Sequence, residues 1–116
     1  MSVYYSTTNS INPEEYSEGD VNVAYGWAML VGEALGFTDF EEIAFGSESL
    51  ETFKGRVLLA LAVAPEDEGL PLHTVDTILG RARTQRRPGY LQDKLRAILS
   101  VVEAGERQGH DTVLWG

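Results

Sequence analysis

The chain has 116 residues, 43% of them hydrophobic and 23% charged, which is the size and balance of one globular domain. It contains no cysteine, so disulfides, thiolate chemistry and cysteine-ligated zinc are excluded. A formal net charge of −9 argues against direct contact with nucleic acid or an anionic membrane, since both would repel it.

Taken in chain order, Val3 to Ser6 is β-branched and aromatic and reads as a short strand. The segment Met1 to Asn12 is polar and lacks the basic and apolar regions of a signal peptide, so a cytoplasmic location is expected. Asn12-Pro13-Glu14-Glu15 reads as a helix start, with Asn12 as cap, Pro13 at the first helical position and Glu15 closing a capping box. From Val21 to Leu35 the apolar positions Val23, Ala24, Trp27, Ala28, Val31 and Leu35 predict a central helix stopped by Gly36. Asn22, Gly26, Gly32 and Glu33 interrupt this stretch too often for a membrane span.

Thr38-Asp39-Phe40-Glu41 has the spacing of a capping box before a two-turn helix, with a strand over Glu42 to Phe45 as the rival reading. Ser47 or Ser49 caps a longer helix to Ala64, whose stripe is Leu50, Phe53, Val57, Ala60, Leu61 and Ala64 and which Pro65 stops. Pro71 then opens another expected helix with Leu72, Val75, Ile78, Leu79 and Ala82 on its core side. Leu91, Leu95, Ile98, Leu99 and Val102 form the clearest helical stripe, ending near Gly105 to Gly109. Thr112 to Trp115 has strand propensity. The fold expected is one domain over residues 1–116. It is mainly α, a compact bundle of four or five helices with short β segments at the N- and C-termini, whose pairing with each other the sequence leaves open.

The charge is lopsided. Residues 1–80 hold 14 acids against Lys54 and Arg56, whereas residues 81–116 hold seven bases against four acids. Arg81, Arg83, Arg86 and Arg87 precede Pro88, Gly89 and Tyr90 at a helix start. Guanidinium groups beside unpaired helix N–H groups suit a phosphate or carboxylate, with Gly89 allowing close approach and Tyr90 able to stack on a ring. The alternative is that these arginines pair with the chain's own acids. For a protein partner, which includes a second copy, the candidate contacts are Tyr4, Tyr5, the run Glu66-Asp67-Glu68 and Trp115, which either docks on the domain or meets the partner. His73 and Asp76 lie one helical turn apart, but two ligands do not make a metal site, and no motif calls for a cofactor. Ser47 and Ser49 lack a nucleophile elbow. The expected function is a non-enzymatic module docking on a protein, with a binder of a nucleotide or other anion at residues 81–90 as the alternative.

Overall fold

A computed structural model describes residues 2–12, 14, 16, 19–77 and 80–116, with the backbone alone at 73, 75–77 and 81–84. The first strand, β1 (Ser2–Thr8), buries Val3, Tyr5 and Thr7 and turns Tyr4 outward, the alternation that a half-buried strand requires. It pairs antiparallel with the last strand, β6 (Thr112–Trp115), from Tyr5 opposite Trp115 to Thr8 opposite Thr112. The two chain ends are therefore paired, a point that the sequence left open. Two further strands flank this pair, β2 (Val21–Ala24) beside β1 and β3 (Gly46–Ser49) beside β6, giving the antiparallel order β2-β1-β6-β3.

Three expectations give way here. The helix expected from Val21 begins instead as β2, followed by a 3-10 turn at Tyr25–Trp27 and a shorter helix, α1 (Ala28–Ala34). Val21 and Val23 fit a period of two as well as a helical one, and pairing with Tyr5 and Val3 decides between them. The helix expected from Pro71 to Ala82 is an antiparallel ribbon of β4 (Leu70–Thr77) and β5 (Gly80–Arg86). Its Thr74, Val75 and Thr77 are β-branched, which favours the extended chain. Ile78 and Leu79 of the expected stripe lie outside the described residues. The helix start expected at Asn12 is likewise absent, since Asn12 and Glu14 fall in a bend and a turn; Pro13 and Glu15 are outside the described residues. The mainly α bundle is thus replaced by an α+β fold built on a four-stranded antiparallel sheet.

The remaining helices fall close to their expected spans. The cap position of α2 (Phe40–Ala44) is Asp39, one residue beyond the Thr38 that the box spacing indicated, and the Asp39 side chain makes no capping bond. Helix α3 (Leu50–Val63) is capped by Ser49, whose hydroxyl accepts the Thr52 N–H at 3.3 Å. Helix α4 (Tyr90–Arg107) carries the long stripe, with Leu91, Leu95, Ile98 and Val102 buried. Helices cover one face of the sheet, and aromatic rings join the layers. Phe53 of α3 lies 6.1 Å from the Tyr5 ring and 5.4 Å from the Trp115 ring, and Trp115 donates its indole N–H to the Glu42 carbonyl at 2.7 Å. Burying each such ring contributes roughly 2–3 kcal/mol, and burial pushes the Tyr5 phenol up to about 12.

Helix α4 reaches β1 through a glycine. A Cβ on Gly105 would lie 2.7 Å from the Thr7 Cβ, which a strand holds in place and cannot yield easily. Gly105→Ala is therefore expected to lower stability by about 2 kcal/mol through overpacking, despite the better helix propensity of alanine. Urea denaturation of the two proteins checks this, and equal midpoints would contradict the close packing described.

Candidate functional site

Gly89 adopts a left-handed conformation at φ 77° and turns the end of β5 into α4. The first N–H groups of that helix lack helical partners and favour an anion. The anion present is the chain's own Asp67, from the loop after α3. Its carboxylate accepts Arg86 Nε and Nη2 at 2.9 Å each, the Gly69 N–H at 2.9 Å and the Leu91 N–H at 3.2 Å. Its backbone carbonyl accepts the Gly89 N–H at 2.7 Å, and its own N–H donates to Gln92 Oε1 at 3.1 Å. Gly69 makes this approach possible. Its φ is +82°, and a Cβ there would lie 2.6 Å from the Arg86 carbonyl oxygen.

Asp67 is buried and Arg86 largely so, with 5% and 13% of their side chains exposed. The Arg86 guanidinium, aided by the two N–H donors, holds the Asp67 carboxyl below the usual carboxylate range against the opposing effect of burial. The Arg86 guanidinium also lies 4.8 Å over the Trp27 ring, and Tyr90 meets that ring edge-on at 6.4 Å. Arg87 pairs with exposed Asp93 and lies 5.8 Å from the Tyr90 ring.

The six residues expected to hold an anion are thus dispersed or committed. Arg86, Arg87, Gly89 and Tyr90 have internal partners, whereas Arg81 and Arg83 occupy β5 opposite Asp76 and Thr74. Arg81 and Arg83 are therefore strand residues, not the last turn of a helix. Among the expected partner contacts, Tyr4, Glu66 and Glu68 are exposed, but Tyr5, Asp67 and Trp115 are buried in the domain. The expectation that all three acids at 66–68 face solvent fails at Asp67, because Arg86 draws it inward. His73 falls in β4, and buried His110 has Nδ1 2.8 Å from the Thr7 hydroxyl.

Two of the open depressions on the surface contain an ion pair. One, of about 480 Å³, has the Asp67–Arg86 pair among its walls, together with Leu30, Pro65 and Leu91. The other, of about 430 Å³, lies beside β3 and is lined by Phe37, Phe45 and Trp115 with the Arg56–Glu48 pair. In each, the cation is already matched by a carboxylate. Among the described residues, no three histidine, aspartate or glutamate side chains converge as a metal site. No described helix is long and apolar enough to cross a membrane.

The surface feature not anticipated is on α3. Its inner side buries Leu50, Phe53, Val57 and Ala60. Its outer side exposes Leu58 (48%), Leu59 (63%) and Val63 (68%), with Ala62 beside them. The signal was present in the sequence, since Leu58, Leu59, Ala62 and Val63 are the apolar residues left over once the inner stripe is assigned. The other exposed apolar side chains are spread over other elements, among them Tyr4 on β1, Met29 on α1, Phe40 on α2, Leu72 on β4, and Ile11 and Tyr16 between β1 and β2, and none shares the α3 face. No protein-family model, curated protein or solved structure matches this chain, so its function rests on these surfaces.

The Asp67 lock has a measurable consequence. Asp67→Ala leaves Arg86 buried without its partner and is expected to cost about 3 kcal/mol. Because the folded carboxyl titrates below its unfolded value near 3.9, its contribution is fully present above pH 4 and is lost as pH falls through the depressed folded value. Denaturation midpoints between pH 2 and 6 check this. Asp67→Asn should flatten that acid limb, and an unchanged slope would contradict the pairing.

Proposed function

We propose that this chain is a non-enzymatic docking module that binds a protein partner through the outer side of α3. The supporting observation is that α3 is apolar on both sides while the domain covers one of them. A helix of that kind in a water-soluble fold calls for a second apolar surface. Contiguous exposed apolar area marks interaction surfaces, and covering Leu58, Leu59 and Val63 would contribute roughly 1–2 kcal/mol each.

The anion-binding alternative draws less support. The basic turn offers its best donors, Arg86 and the Leu91 N–H, to Asp67, and a phosphate would have to displace a buried carboxylate. Tyr4 remains a secondary contact candidate. It stands on the uncovered face of the sheet, well away from the side that α3 packs on.

The docking reading is tested by capture with the intact chain and two variants, Leu59→Glu and Tyr4→Ala. Both substituted side chains are exposed, so far-UV circular dichroism and unfolding midpoints should stay within about 0.5 kcal/mol of the parent. A partner held by the parent and by Tyr4→Ala should be lost on Leu59→Glu. Retention of every partner by Leu59→Glu would remove α3 from the proposal.

A further inference from the structure

The charges around the apolar strip say what kind of surface it fits. Helix α3 carries two cations, and the chain neutralises both. Lys54 pairs with Glu106 at 3.0 Å, and Arg56 pairs with Glu48 at 2.7 Å while also donating to the Leu35 carbonyl. The acids at the two ends of the strip are treated differently. Glu51 in the first turn of α3 and Glu66 in the loop just beyond it are both exposed. Among the described residues neither forms an ion pair with a base.

The strip therefore has an uncharged middle and a negative charge at each end. We infer that its occupant is an amphipathic helix of a different protein, apolar along one side and carrying lysine or arginine at both ends of that side. This rests on the docking reading above and names the partner's chemistry. A helix is the fitting shape because the exposed positions Leu58, Leu59, Ala62 and Val63 span little more than one turn and form a ridge that a second helix can pack against. Ala62 and Gly55, seven residues apart and both exposed, bring the approaching backbone close. A second copy of this chain fits poorly. Antiparallel pairing would set Glu51 against Glu66, parallel pairing would set like ends together, and each copy carries a net charge of −9. The same charge that opposes self-association speeds capture of a basic partner.

The test uses the full chain and two labelled synthetic helices of identical leucine–alanine apolar face, one with lysine at both ends and one with glutamate. Binding is followed by fluorescence anisotropy at low and high salt, and sedimentation reports the oligomeric state. The lysine-ended helix should bind at least tenfold more tightly than the glutamate-ended one, with the advantage shrinking as salt rises. Leu59→Glu should weaken it at least tenfold although it adds a negative charge, and Val63→Glu serves as a second, independent variant. If Leu59→Glu binds as well as the parent or better, attraction by charge alone explains the signal and the inference fails. Equal binding of both helices, still sensitive to Leu59, would overturn the charge assignment while leaving α3 as the docking side. A parent dimer that Leu59→Glu converts to monomer would make the occupant a second copy and overturn the inference. Failure of both helices to bind a monomeric parent would overturn it as well.

Discussion

The pairing of β1 with β6 joins residues more than a hundred positions apart, and the rest of the domain is assembled around it. It places Tyr5 against Trp115, with ring centroids 6.3 Å apart, and sets Phe53 and Phe37 against the same indole. Each strand then offers its free edge to one further strand, so β2 and β3 have a place in the sheet because the two central strands have met. An isolated pair of strands would be marginal in water. The rings on the inner face, covered by α3 and α4, make this pair the centre of a core instead.

A second constraint ties the β4–β5 ribbon to this body. The ribbon's strands pack chiefly along each other, with Arg86 at the end of β5 reaching the Trp27 ring, so its base is held by specific bonds. Asp67 supplies them. Its carboxylate grips Arg86 at the end of β5, the Gly69 N–H at the start of β4 and the Leu91 N–H in the first turn of α4. One side chain thereby fixes where the ribbon leaves and where the longest helix begins. Such a pair gains its geometry at the cost of desolvating two charges, and four N–H donors from three residues converging on one carboxylate offset that cost.

The basic turn is thereby filled from within, whereas α3 is left uncovered on one side. A helix N-terminus flanked by arginines is a sound place for an anion, and here the fold fills it internally. Helix α3 presents the reverse case. Its inner stripe is satisfied, yet leucine, alanine and valine continue onto the side that the domain leaves uncovered. The proposed role as a docking module follows from that excess of apolar surface, and the bordering glutamates give the surface a sign.

Local patterns in the chain were sufficient for the elements whose period is unambiguous. The Leu91–Val102 stripe, a serine cap before Leu50 (at Ser47 or Ser49, of which the structure uses Ser49), and the strand at Val3 to Ser6 were readable, because the residues involved prefer one backbone geometry. Tertiary structure decided the rest. Val21 and Val23 satisfy both helical and extended periods, and the neighbouring β1 strand tips the balance. Residues 70–86 have apolar spacing that suits a helix but β-branched residues that suit a strand, and pairing across the turn settles it. The fate of Arg86 lay equally beyond local reading, because its partner Asp67 is 19 positions away and reaches it through a glycine in a left-handed conformation. Sequence thus determined the elements with a single compatible period. Long-range contacts chose among the ambiguous ones and determined which charges and which apolar side chains were left for the outside.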